Sequence, residues 1–168
     1  MLAQMLVLFA VPALLALAAG WDLASFTIPN VLPLALIAAF VGFAFAAGMT
    51  PTAAAWHAGA GIVGLASGFA LFAFGAIGGG DAKLFAATAL WFSFGGLLDY
   101  TLVSSLFGGG LALLLVSVRH LPLPASLMGQ GWIVRLHSPQ AGIPYGVALA
   151  LGALVVLPHT DVFRLAFT

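Results

Sequence analysis

The stretch Gly78-Gly79-Gly80-Asp81-Ala82-Lys83-Leu84 sets three glycines and an acid between two long apolar runs. Glycine costs backbone entropy in a regular element, so three in succession are expected to loosen a helix end and leave its amides uncrowded by Cβ atoms. Another chain can then approach the backbone closely. An ionisable group beside hydrocarbon is expensive, which makes Asp81 a functional-site hypothesis in need of a partner. Asp22 is the candidate partner. The blander reading makes Asp81 the N-cap of a helix starting at Ala82, with Lys83 snorkelling to the interface.

Outward from this stretch the chain is mostly hydrocarbon. Of 168 residues, 64% are hydrophobic and 5% charged, with a mean hydropathy of +1.23, a composition foreign to ordinary soluble domains. The chain reads as an all-α, polytopic membrane protein with residues 1–168 in a single membrane-embedded domain. The apolar runs able to cross a hydrocarbon core of about 30 Å are residues 2–20, 31–47, 54–77, 84–98, 102–118 and 143–157. They predict about six transmembrane helices. The fourth and sixth fall short of the roughly 17 residues a span usually needs, so they are expected to borrow flanking residues. Ala16-Leu17-Ala18 has the small-x-small form of a signal-cleavage site, but residues 1–5 carry no Lys or Arg and the apolar run is long. The first run is therefore expected to remain as a span.

The connections supply the remaining structural expectations. Thr27 or Asn30 is expected to cap the second helix, with Pro29 in its first turn, and residues 48–51 to form a short turn. Asp99 and Tyr100 are expected in a tight turn between the fourth and fifth spans, Asp99 serving as an N-cap. Alternation of spans places the loops carrying Asp22, Asp81 and residues 119–142 on one face, with Asp99, His57, His159 and the tail on the other. Lys83, Arg119 and Arg135 against Arg164 of the tail then point the Asp22/Asp81 face toward the cytoplasm. Within the long loop, Leu127, Met128, Trp132, Ile133 and Leu136 suit one apolar stripe of an interfacial helix over residues 125–136. His120 and His137, which flank it, are expected to be hydrogen-bonded bystanders. Gly64/Gly68, Gly75/Gly79, Gly108/Ala112 and Gly142/Gly146 have the spacing that lets helices approach closely.

Four basic side chains balance four acids, every acid an Asp, which leaves no basic patch for nucleic acid. With no cysteine there is no disulfide framework and no cysteine zinc site. Two carboxylates within a few Å share a proton and titrate as a pair, one as base and the other as acid. That division lets an aspartyl peptidase activate a water while polarising the scissile carbonyl. It requires no metal and no nucleophilic side chain, and the chain has neither an HExxH pattern nor a G-x-S-x-G elbow.

Gly78-Gly79-Gly80-Asp81-Ala82-Lys83-Leu84 resembles the GxGD-x-K-L motif of the prepilin peptidases, the type IV leader peptidases. Asp22 followed by Ile28-Pro29-Asn30 resembles their other aspartate, which precedes an IPN helix start. Ile143-Pro144-Tyr145-Gly146-Val147-Ala148 is similar to the I-P-Y-G-x-A start of the final helix in short members, and Trp91 and the glycines 108–110 also fall where those members often have tryptophan and glycine. The likeness runs from Asp22 to the last span. It implies an inner-membrane aspartyl endopeptidase that removes the short cytoplasmic leader of a prepilin, cutting after a glycine just before the apolar helix. Asp22 and Asp81 match the catalytic aspartates, and Gly78, Gly79, Gly80 and Lys83 are candidates for binding or supporting the substrate. The implied partners are the prepilin and the lipid bilayer, with no metal or other cofactor and the oligomeric state left open.

Long bifunctional members carry a zinc-binding cysteine domain and also methylate the new N-terminus. The cysteine-free chain, lacking a large hydrophilic loop after its first span, is expected to have no methyltransferase activity. Its short form is typical of tight-adherence (Flp) pilus systems. Short members often place arginine between the first Asp and IPN, whereas residues 23–27 are uncharged, so Lys83, Arg119 and Arg135 are expected to serve anchoring or orientation instead. Two alternatives come from other classes. One is a small proton-coupled transporter subunit with the aspartates as a relay, the other a non-catalytic assembly subunit of a pilus or secretion system with Asp81 as an N-cap.

Overall fold

The computed structural model describes residues 1–168 as helices joined by short connections, without a strand. Helix α1 spans Leu2–Ser25. A π-helical turn at Leu6–Ala10 precedes Pro12, where the missing proline N–H already interrupts the ladder. The helix stops at Phe26, whose left-handed backbone (φ 55°) lets its N–H return to the Asp22 carbonyl at 2.7 Å. Residues 27–30 then cross to α2, Val31–Ala46. Helix α3, Pro51–Ala73, begins as its sequence suggests: Pro51 opens the first turn and the Thr50 hydroxyl accepts the Ala53 N–H at 3.2 Å.

The next helical stretch, Gly79–Arg119, is continuous in the chain but broken at Ser93 (φ 54°, ψ −171°). Aromatic stacking shows what the break does. The Phe85 and Tyr100 rings stack with centroids 5.3 Å apart, although in a straight helix residues 85 and 100 would stand about 22 Å apart. Phe92 stacks on the same tyrosine at 4.6 Å. The chain therefore folds back at Ser93 into two helices, α4 (residues 79–92) and α5 (residues 94–119). The turn expected at Asp99 and Tyr100 is corrected accordingly: Asp99 is exposed in the second turn of α5 and caps nothing, while Tyr100 is fully buried. Two polar residues in an apolar run imitate a loop, but the phenol ring is needed between Phe85 and Phe92.

Beyond α5 the expected interfacial helix is split. Ala125–Leu127 forms one 3-10 turn and α6 covers only Gly131–His137, because Gly129 and Gly131 interrupt the stripe. Arg119 holds this segment against the end of α5, donating from Nε to the Leu136 carbonyl at 3.0 Å and from Nη2 to the Gly142 carbonyl at 2.8 Å. Helix α7 is Tyr145–Val156, followed by a 3-10 turn at Leu157–His159 and the short α8, Asp161–Leu165. Three helices are long and apolar enough to cross a membrane, Leu2–Ser25, Pro51–Ala73 and the folded Gly79–Arg119, and shorter apolar helices lie at Val31–Ala46 and Tyr145–His159. This is an all-α polytopic membrane protein.

Small residues set how closely the helices around α4 approach. A Cβ added at Gly68 would lie 3.1 Å from the Ala82 Cα, and one at Gly64 would lie 2.8 Å from the Ala89 Cβ, so α3 and α4 pack nearly backbone to backbone. The Gly75/Gly79 and Gly142/Gly146 pairs do not act this way: Gly75 turns the chain after α3 with φ 72°, and Gly142 has no neighbour within 4 Å. On the other side of α4, buried Trp91 packs edge-on to Phe40 at 5.5 Å and donates from Nε1 to the Leu36 carbonyl at 3.2 Å, fastening α4 to α2. His57 Nδ1 lies 2.6 Å from the Leu90 carbonyl, which can only accept, so the proton sits on Nδ1. That carbonyl belongs to the last turn of α4, where the break at Ser93 ends the helical ladder.

Candidate active site

Asp22 arrives on the last turn of α1 and Asp81 on the first turn of α4, and both line one cavity of about 310 Å³ with Gly78, Gly79, Gly80 and Lys83. All six residues singled out in the sequence thus meet at one end of the bundle. The two aspartates are 3% and 6% exposed, and Asp22 lies within reach of the Asp81 charge.

Each carboxylate is held by a backbone amide. Gly78 N–H donates to Asp81 Oδ2 at 3.1 Å, and Gly146 N–H donates to Asp22 Oδ2 at 2.7 Å. Asp81 Oδ1 has no partner. The helix-start reading needs correcting here: α4 begins at Gly79, two of the three glycines lie inside its first turn, and Gly78 is the N-cap residue in extended conformation. Asp81 is the third helical residue and reaches back to the cap, as the acid of a capping box does. Its other oxygen is left unpaired. The first-turn amides of Gly79 and Gly80 have no acceptor within the helix, so they are available as donors at the same wall.

Lys83 does not simply snorkel. Its Nζ donates to Asn30 Oδ1 at 2.9 Å, and Asn30, at the cap position of α2, makes no capping bond with its side chain. One hydrogen bond therefore joins the Ile28-Pro29-Asn30 segment to the glycine-aspartate segment. Ile28 completes the joint from below. A Cβ at Gly80 would lie 3.1 Å from the Ile28 Cβ, and one at Gly146 would lie 2.7 Å from its Cδ1. Ile28 wedges between α4 and α7, and glycine at both contact points leaves it room without a shift.

Sequence reasoning assigned no site role to Gly146. Its motif was legible, but the contribution is a backbone N–H at the start of α7, one of the orphan amides of a helix N-terminus, and a backbone donor has no side-chain signature. As for metals, no group of three or more His, Cys, Asp or Glu side chains converges anywhere in the chain.

The fold and the site define a helical membrane protein with two buried, amide-held aspartates facing one cavity at one end of its bundle. A model of the type IV leader peptidase family matches residues 9–113, a span that includes both aspartates and most of the α4–α5 hairpin, and the chain belongs to that family. No curated protein and no solved structure matches it. Membership makes this a membrane peptidase of the leader-peptidase kind. Gly146 lies beyond the matched residues.

Proposed function

We propose that the chain is an aspartyl endopeptidase that removes the cytoplasmic leader of Flp-type prepilins at the inner membrane, with Asp22 and Asp81 as its catalytic pair. The observation that carries this reading is the convergence of the two buried aspartates, from segments far apart in sequence, on one cavity beside the Gly78–Gly80 backbone. In the reaction the ionised aspartate takes a proton from water as the oxygen attacks the scissile carbonyl carbon, and the protonated partner gives its proton to the carbonyl oxygen. Collapse of the tetrahedral intermediate breaks the C–N bond as the leaving amine takes a proton from the acid formed in the first step, while the other aspartate, ionised in that step, recovers a proton from a gem-diol hydroxyl as the carbonyl re-forms. An extended substrate strand finds the free amides of Gly79 and Gly80 as donors, and glycine there leaves it room. Lys83 holds the Asn30 segment in place and, with Arg119 and Arg135, gives this end of the bundle the positive charge expected of a cytoplasmic face.

The test is co-expression of an Flp-type prepilin with the wild type, Asp22→Asn or Asp81→Asn, followed by mass analysis of the prepilin. Asparagine keeps a side-chain oxygen for the Gly146 or Gly78 amide and removes the acid. The leader should be lost only with the wild type, at equal membrane levels of all three proteins. Appreciable processing by either variant would remove that residue from the pair.

A further inference from the structure

Three buried side-chain polar atoms in the chain lack a hydrogen-bond partner: Asp81 Oδ1, Tyr100 Oη and Ser104 Oγ. All three belong to the α4–α5 hairpin, on residues 6%, 0% and 5% exposed. A buried polar atom left unpaired bears its full desolvation cost, so three in one neighbourhood mark a place that holds something polar.

The local geometry keeps these groups from partnering elsewhere. Ser67, Thr88, Thr101, Ser105 and Ser117 each return their hydroxyl to the carbonyl four residues back, the usual way a hydroxyl is satisfied inside a helix. Ser104 does not. Its Oγ faces α7, 2.1 Å from where a Cβ on Gly152 would stand, so only glycine leaves it that position. Tyr100 is clamped between the stacked rings of Phe85 and Phe92, which directs its hydroxyl toward Thr88 and Ser104 without bringing it into hydrogen-bond geometry with either.

Asp81 and Ser104 also line a second cavity, of about 300 Å³, between α4, α5 and α7, with Thr101, Ser105 and Tyr145 on its walls. Asp81 therefore stands between two cavities, one shared with Asp22 and one with these hydroxyls. Apart from Asp81 the polar groups of the second cavity are neutral hydroxyls set among apolar residues such as Phe85 and Leu149. That lining suits a small neutral molecule able both to donate and to accept, and the volume admits several waters.

We propose that this second cavity is a water chamber of the two-aspartate site, in which Ser104, with the Tyr100 hydroxyl directed at it from behind the cavity wall, holds water that reaches Asp81 Oδ1 from the side facing α5 and α7. The inference rests on the peptidase reading above. A substrate strand along Gly78–Gly80 fills the first cavity, whereas the second stays open to Asp81, so the attacking water enters there and gives its proton to the ionised aspartate as its oxygen bonds to the carbonyl carbon. Ser104 and Tyr100 are positioning residues that act through that water.

Two measurements test the chamber. Because the chain has no cysteine, Thr101→Cys reports on the cavity alone: in membranes it should react with a small charged methanethiosulfonate reagent far faster than Ala60→Cys, placed in the packed core at 0% exposure. Equal, slow labelling of the two would overturn the proposal. In prepilin cleavage, Tyr100→Phe and Ser104→Ala should each lower kcat by about tenfold, the equivalent of about 1.4 kcal/mol, with KM and thermal stability unchanged. Wild-type kcat, or a fall in kcat that only follows a loss of folded protein, would also overturn it. Cleavage by Asp22→Asn or Asp81→Asn marks failure of the peptidase reading; inactive aspartate variants beside fully active Tyr100→Phe and Ser104→Ala mark failure of the chamber alone.

Discussion

Gly146→Ala is the sharpest probe of the site, because it alters neither aspartate and adds one methyl group. That methyl would stand 2.8 Å from Asp22 Oδ2, 3.0 Å from Asp22 Cγ and 2.7 Å from Ile28 Cδ1, where ordinary contact begins at 3.4 Å. Ile28 can relieve its own contact by turning Cδ1, the free end of its side chain, but that leaves the contact with the Asp22 carboxylate in place. The carboxylate must then withdraw by roughly 0.6 Å, in a close-packed interior where small displacements are felt. Withdrawal stretches the 2.7 Å bond from Gly146 N–H, and a hydrogen bond to a charged group contributes about 1.5–3 kcal/mol. That range corresponds to roughly 10- to 150-fold in rate, and a displacement approaching 1 Å at a reacting group independently suggests a loss on the order of 10²-fold. The expected result is a fall in kcat for prepilin cleavage of about a hundredfold, measured on purified protein in detergent with the folded fraction followed by thermal unfolding. Gly142→Ala, with no atom within 4 Å of its added methyl, is the matched control and should cleave normally. A Gly146→Ala variant within a few-fold of wild type would refute the claim that this amide and its missing side chain position Asp22.

Two further outcomes follow from contacts around the site. Lys83→Met and Asn30→Ala each remove the same exposed hydrogen bond, so each should lower kcat/KM by about fivefold, equivalent to about 1 kcal/mol, and the double variant should be hardly worse than either single one. Fully additive losses in that double-mutant cycle would show that the two side chains do not act together. His57→Leu leaves the Leu90 carbonyl without its donor and should lower stability by about 1–3 kcal/mol, read as an earlier thermal transition in detergent, while the folded fraction still cleaves prepilin.

The membrane class was legible because lipid imposes a simple demand: spanning helices must be long and apolar, and composition shows this directly. The same uniformity hides where one helix ends. Asp99 and Tyr100 stood out as polar and drew the expected turn, whereas the chain reverses at Ser93, flanked by Phe92 and Phe94. Tyr100 is a core residue whose ring stacks on both sides, and no local pattern distinguishes such a tyrosine from a loop tyrosine. The stripe over residues 125–136 misled similarly, since its apolar spacing suited one helix while its glycines divide it.

At the site, the chemistry-bearing side chains were readable one by one. Asp22, Asp81, the three glycines and Lys83 stand out because charge and glycine runs are rare in hydrocarbon, and the resemblance to a peptidase family joined them into one hypothesis. By itself, then, the sequence determined the membrane class, the residue types of the site and the chemistry that two neighbouring acids can perform. Tertiary structure alone decided that the aspartates meet, that Asn30 accepts a hydrogen bond from Lys83 instead of capping its helix, that Gly146 holds Asp22, and that Asp81 faces a second, hydroxyl-lined cavity. The reason is physical: these outcomes depend on backbone amides, on close helix approach and on which way a hydroxyl turns, and such properties exist only once distant segments have packed together.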